Sequence, residues 1–129
     1  MAPNEGTMLI VEDDAPVARL LQRQLEEAGY ETAVAGLGSV ALQLAETTPL
    51  TLVILDVQLP DMSGYEVCRQ LRRLYHPWAL PVLMLTGMTR PVDQLRGFAH
   101  GADAYVTKPY TWDALHAMIE QLLGHQAVS

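Results

Sequence analysis

Four short apolar runs in this sequence each lead into a polar residue of a different chemical kind. Met8-Leu9-Ile10-Val11 runs into Glu12, Asp13 and Asp14; Leu50 to Leu55 runs into Asp56; Pro81 to Leu85 runs into Thr86 and Gly87; Ala104 to Thr107 runs into Lys108 and Pro109. Carboxylates gathered in one place repel one another and raise one another's pKa unless a cation lies among them. Short acidic side chains offer hard oxygen ligands, which suit a Mg2+ ion that keeps several of its waters. A lysine ammonium and a neutral hydroxyl around the same carboxylate complete a charge set that stabilises a phosphoryl group in transfer. Aspartate is an established covalent acceptor, so Asp56 is the candidate nucleophile.

Each of these residues has a plainer reading when taken alone. An Asp that follows a strand more commonly caps the next helix or sits in a solvated turn, and Asp14 is read that way. A lone Thr in a loop usually has no special role, and a lone Lys is usually a solvated charge. The weight lies in four run ends carrying complementary chemistry together. Seven of the eight basic residues are arginine, which leaves Lys108 as the single lysine.

For these ends to meet, the runs must be parallel neighbours in one sheet. The periodicity supports this. After the first run, Val17, Leu20, Leu21, Leu25 and Ala28 recur at helical spacing, and Gly29 stops that helix. Tyr30 to Val34 reads as a more polar edge strand. Ser39 is the expected cap of a helix through Thr47, punctuated by Pro49. A helix from Gly64 to Tyr75 should bury Val67, Leu71 and Leu74. Pro91 fits the first turn of a fourth helix and Gly101 ends it. A last helix from Thr111 to Leu123 should turn Leu115, Met118, Ile119 and Leu122 inward. Strands without polar alternation, separated by helices, are covered on both faces, and right-handed crossovers leave a doubly wound α/β sheet as the natural topology. In such a sheet the functional crevice lies beyond the carboxyl ends of the strands.

Composition narrows the function further. Half the residues are hydrophobic, enough for one core in a chain of 129 residues. The net charge of −7, from 15 acidic and 8 basic side chains, disfavours direct binding to nucleic acid or anionic lipid. No apolar run approaches the roughly 20 residues of a membrane span. Residues 1–6 carry no signal-peptide pattern, so a cytoplasmic protein is expected. The single cysteine, Cys68, forms no internal disulfide and reads as a small buried hydrophobe. The expected organisation is a leader at 1–6, one domain at 7–124 and a tail or linker start at 125–129.

The segments Met8-Leu-Ile-Val-Glu12-Asp13-Asp14, Leu55-Asp56-Val-Gln-Leu-Pro60-Asp-Met-Ser-Gly64, Leu83-Met-Leu-Thr86-Gly87 and Gly101-Ala-Asp-Ala-Tyr105-Val-Thr-Lys108-Pro109 resemble, in order and spacing, the signatures of response-regulator receiver domains of bacterial two-component systems. The resemblance runs from about Thr7 to Leu123. It implies a flavodoxin-like sheet of five parallel strands in the order 2-1-3-4-5 with five helices. It also implies that Asp56 is the phosphoacceptor and that Mg2+, or Mn2+ in its place, is held by Glu12, Asp13, Asp56 and the backbone carbonyl of Gln58. Lys108 matches the lysine that pairs with the phosphoryl oxygens, and the Lys108–Pro109 bond is expected to be cis. Thr86 and Tyr105 match a two-residue switch, in which the hydroxyl moves to the phosphoryl group and the ring swings into the vacated space. Such a domain catalyses only its own phosphorylation and dephosphorylation.

By the same resemblance, the donor is a sensor histidine kinase or a histidine phosphotransfer domain. Output to an effector domain or partner protein runs through the face built by the fourth helix, fifth strand and fifth helix. The fifth helix carries none of the arginines that pair across that face in dimerising transcription factors, so that dimer is not expected. A haloacid-dehalogenase-type phosphohydrolase would need a second aspartate where Gln58 stands. A flavodoxin-like binding module would need a hydroxyl- and glycine-rich phosphate loop where the acids Glu12 to Asp14 stand. A receiver-like interaction scaffold that is never phosphorylated is the remaining alternative, and the complete set Glu12, Asp13, Asp56, Thr86 and Lys108 argues against it.

Overall fold

The computed structural model describes residues 6–75 and 79–124; the expected leader and tail fall almost wholly outside them. Strands and helices alternate along the chain: β1 (Thr7–Val11), α1 (Ala15–Glu27), β2 (Glu31–Ala35), α2 (Gly38–Thr47), β3 (Leu50–Leu55), α3 (Gly64–Leu74), β4 (Val82–Thr86), α4 (Pro91–Ala99), β5 (Ala104–Thr107) and α5 (Trp112–Leu122). All the strand pairings are parallel, in the order β2-β1-β3-β4-β5. This is the flavodoxin-like doubly wound sheet.

The inner strands β1, β3 and β4 are covered on both faces, which is why they are almost wholly apolar, while the edge strand β2 carries the exposed Glu31. Successive side chains of a strand point to opposite faces. Leu9, Val11, Val53, Leu55, Val82 and Met84 therefore join one core with Ala41 and Ala45 of α2 and Val67, Cys68 and Leu71 of α3. Met8, Ile10, Leu52, Ile54, Leu83 and Leu85 join the other with Ala18, Leu21 and Leu25 of α1 and Leu115 and Ile119 of α5. Helix α4 adds no side chain to either core. Its buried residues are Asp93 and Gly97, while Val92, Leu95 and Phe98 face outward.

Several local expectations need correction. Leu20 and Leu74 continue the helical periodicity but are each 47% exposed, because α1 and α3 present narrower buried stripes than the spacing suggests. Ser39 does not cap α2, which begins at Gly38 behind Leu37. The cap is supplied from a distance: Asp61 accepts the N–H groups of Gly38 at 2.8 Å and Ser39 at 3.0 Å, satisfying donors that a helix start leaves free. Thr86 closes β4 instead of following it.

At the amino ends of β4 and β5, one side chain ties the frame together. Arg72, from the last turn of α3, donates to the carbonyls of Gly101 (2.6 and 2.9 Å) and Leu80 (2.7 Å) and to Asp103 Oδ2 (2.7 Å). Asp103 in turn accepts the N–H of Val82 at 2.8 Å. Gly101 turns the chain out of α4 at φ +106°, a conformation that only glycine adopts readily.

Candidate functional site

The sheet register delivers the site. Val11 of β1 stands opposite Leu55 of β3, so the residues that follow, Glu12 and Asp56, emerge side by side. Asp56 N–H donates to Val11 O at 3.0 Å and Glu12 N–H to Ala35 O at 3.0 Å, which holds both backbones to the sheet at the point where it ends. Thr86 pairs with Thr107, and Lys108 N–H donates to Thr86 O at 2.8 Å. Lys108 is thereby brought across the strand ends to the acids.

Carboxylate oxygens of Glu12, Asp13 and Asp56 all lie within 4.8 Å of one another. Glu12 and Asp56 are buried, while Asp13 is exposed and leaves the cluster open on one side. Lys108 Nζ donates to Glu12 Oε1 at 2.5 Å and to Asp56 Oδ2 at 3.1 Å. The other Asp56 oxygen accepts the N–H of Gln58 at 3.2 Å, and Glu12 Oε2 accepts the N–H of Asp14 at 3.1 Å. Asp14 itself turns to Val17 N–H at 3.2 Å and caps α1.

The electrostatics follow from burial and charge count. Burial pushes the Glu12 carboxyl above its ordinary value, and repulsion from Asp56 adds to the rise; the bonds from Lys108 and the Asp14 N–H offset it only in part. At Lys108, burial works against the ammonium, but the bond to Glu12 and the charge of Asp56 outweigh it, and its pKa is raised. Three carboxylates against one ammonium leave an excess of two negative charges when all are ionised. Hard oxygen donors with that excess and one open side fit a divalent magnesium ion, with Glu12, Asp13 and Asp56 as the residues to hold it. When bound, such an ion neutralises charge on the oxygens of a transferring phosphoryl group.

Thr86 is fully buried, and its Oγ1 accepts Met88 N–H at 3.3 Å. The Tyr105 hydroxyl donates to Met88 O at 2.8 Å, so Thr86 and Tyr105 grip the same loop residue after β4. Burial raises the Tyr105 phenol well above its ordinary value, helped by the neighbouring Tyr65 hydroxyl. The Lys108–Pro109 peptide bond is cis.

Three features were invisible in the sequence. The shortest bond of Lys108 goes to Glu12, not to Asp56. The loop after Asp56 reaches α2 through Asp61. Tyr65, almost completely buried beside Tyr105, donates to Asp93 O of α4 at 2.9 Å. No motif marks Tyr65; only its place directly after the helix-opening Gly64 hints that it faces inward.

A doubly wound sheet with an acidic cluster, a lysine and a hydroxyl at its carboxyl edge defines a phosphoacceptor domain of the receiver class. The comparisons agree. The family model described as response regulator receiver domain matches residues 8–120. The alkaline phosphatase synthesis transcriptional regulatory protein PhoP of Bacillus subtilis is 38% identical over 122 residues, covering 95% of this chain and 50% of its own length. The chain thus spans about half the length of the curated relatives it matches. A CheY-like receiver domain protein from Methanospirillum hungatei superposes with TM-score 0.86 at 30% identity, over 94% of this chain and 95% of that one. The response regulator TrrA of Thermotoga maritima, solved in complex with Mg2+-BeF, superposes with TM-score 0.81 at 32% identity, over 90% and 97%. This chain belongs to the response-regulator receiver family and serves as a Mg2+-dependent phosphoacceptor in two-component signalling. Among the described residues, no helix is long and apolar enough to cross a membrane.

Proposed function

We propose that Asp56 is the phosphoacceptor, within a functional unit spanning residues 7–124. A carboxylate oxygen of Asp56 attacks the phosphorus of a phosphohistidine on a sensor kinase or histidine phosphotransfer domain. The P–N bond breaks, its electron pair leaves with the imidazole, and the aspartyl phosphate forms. Lys108 follows the charge: its ammonium already bonds one Asp56 oxygen and is set to pair with the arriving phosphoryl oxygens. Glu12, Asp13, Asp56 and the Gln58 carbonyl hold Mg2+. The Thr86 hydroxyl turns from Met88 N–H to a phosphoryl oxygen, and Tyr105 reports the change on the α4-β5-α5 face to an effector domain or partner protein in the cytoplasm.

The observation that carries this reading is the meeting of Glu12, Asp13 and Asp56 within 4.8 Å, with Lys108 bonded to two of them. Intact-protein mass spectrometry after incubation with Mg2+ and acetyl phosphate tests it. One added phosphoryl group that needs Mg2+ and is absent in Asp56→Asn is the expected result. No gain, under conditions that label another receiver, would favour the interaction-scaffold reading.

A further inference from the structure

Helix α4 is attached to the body in an unusual way. Its apolar side chains Val92, Leu95 and Phe98 are 49%, 68% and 47% exposed, while its inward positions are Asp93 and Gly97. A helix that buries little apolar surface is held by specific contacts and lies toward the low end of local stability. Most of the specific contacts from α3 come from one side chain, Tyr65. Its hydroxyl donates to Asp93 O at 2.9 Å, the Arg96 guanidinium lies 4.6 Å over its ring, and the His100 ring stands 5.4 Å away at 31°. These α4 residues are spaced three and four apart, so they lie on one helical face.

Tyr65 is just as firmly joined to the acceptor. Gly64 N–H donates to Val57 O at 2.7 Å. A Cβ on Gly64 would fall 2.1 Å from Asp56 O and 2.8 Å from Val57 Cα, so the opening of α3 rests directly on the acceptor backbone. Tyr65 follows by one peptide unit. It also meets the switch itself, because its hydroxyl neighbours that of Tyr105. The Tyr105 ring in turn fills a slot that exists only because position 97 is glycine; a Cβ there would lie 2.9 Å from Tyr105 Cδ2 and 3.0 Å from Met84 Sδ.

We propose that Tyr65 is a positioning residue that couples the state of Asp56 to the placement of α4, acting through its hydroxyl bond to Asp93 and its ring beneath Arg96. It touches neither phosphoryl group nor metal. Its function is to hold the amino end of α4 against the body when the acceptor is empty, and to pass on any shift of the Asp56–Gly64 backbone. The inference rests on the phosphoacceptor reading above and deepens it.

The test is amide hydrogen exchange across α4, Pro91–Ala99, with and without Mg2+ and beryllofluoride, in wild type and Tyr65→Phe, beside the rate of Asp56 labelling by acetyl phosphate. Removing one buried hydroxyl bond while keeping the ring should speed exchange in the first turns of α4 by about tenfold in the unliganded protein. It should also abolish most of the change that beryllofluoride produces there, with Asp56 labelled at the wild-type rate. Arg96→Gln, an exposed substitution that leaves the phenol bond intact, should give a smaller loss of the same kind. Wild-type exchange and response in Tyr65→Phe would overturn the proposal. So would loosening of α4 and the sheet strands together, which is the mark of a merely structural role. Failure of the wild type to be labelled at Asp56 would instead sink the phosphoacceptor reading beneath it.

Discussion

Gly64→Ala puts the tightest backbone contact at the site to the test. The added Cβ would stand 2.1 Å from Asp56 O, 2.8 Å from Val57 Cα and 2.9 Å from Asp56 C. All three are backbone atoms, so no side chain can rotate to relieve the clash. A comfortable C···O contact is about 3.3 Å or more, so the start of α3 and the acceptor loop must part by roughly 1 Å. Overpacking of this kind typically costs about 1–3 kcal/mol, and a backbone clash belongs at the upper end. Exchanging Gly for Ala returns at most about 1 kcal/mol through helix propensity. The net loss is about 2 kcal/mol, or roughly 8 °C in melting temperature for a domain of this size. The displaced atoms belong to Asp56 itself, so acetyl phosphate labelling should slow by about a hundredfold, the usual consequence of misplacing a reacting group by 1 Å. Gly87→Ala is the matched control: its Cβ meets nothing within 4 Å and its φ is not in the left-handed range. It should be neutral or stabilise by up to about 1 kcal/mol through the unfolded chain. Urea denaturation and timed mass spectrometry on both variants decide the matter. A Gly64→Ala protein within about 0.5 kcal/mol of wild type, labelled at an unchanged rate, would refute the claim that α3 rests on the acceptor backbone.

Burial pushes the Cys68 thiol up to about 11, leaving about one molecule in a thousand as thiolate near pH 8, inside a closed core. A disulfide reagent should therefore label Cys68 at the rate of protein opening and go to completion only in denaturant; rapid labelling of native protein would contradict the packing. Asp61 is held below its ordinary 3.8 by the N–H groups of Ser39 and Gly38. A depressed folded pKa contributes stability that is fully present above the unfolded value and disappears as pH falls through the folded one. Asp61→Ala should thus lower the urea midpoint at neutral pH and leave stability falling less steeply below about pH 4 than in wild type; parallel pH profiles would count against the remote cap. Mg2+ at a hundred times its dissociation constant should stabilise the domain by about 2.7 kcal/mol, a rise of roughly 10 °C in melting temperature that Asp13→Asn reduces. A melting temperature indifferent to millimolar Mg2+ would remove the acidic cluster from consideration as a metal site.

What could be read in advance follows from which interactions are local. The strands were legible because a sheet covered on both faces demands unbroken apolar runs, and the polar residues ending those runs can meet only if the runs are parallel neighbours. The fold and the gathering of Glu12, Asp13, Asp56 and Lys108 both come from that one constraint. Helical periodicity is a weaker guide. Leu20 and Leu74 obey it and still face outward, because a helix lying on a sheet buries a stripe whose width depends on how closely it approaches. The remote cap by Asp61 lies 22 and 23 positions from the amides it serves, and Tyr65 meets Asp93 across 28. Contacts of that span depend on how the layers settle against one another, and no spacing rule encodes them.

The two ends of α4 are fastened by different kinds of joint. Behind its carboxyl end, the Gly101 carbonyl sits in the fork of Arg72, a guanidinium also bonded to Leu80 and Asp103 at the sheet's far margin. At its amino end there is chiefly the Tyr65 hydroxyl on the Asp93 carbonyl and the loop that Thr86 and Tyr105 grip. A rod clamped at one end and lightly hooked at the other does not slide; it swings. At 1.5 Å per residue Asp93 lies about 12 Å from Gly101, so a 1 Å push at the Asp93 end becomes a tilt of about 5° about Gly101. Val92 near the free tip then sweeps a longer arc than Phe98 near the fulcrum. A partner reading this helix would feel the signal most strongly at the tip, nearest the acceptor.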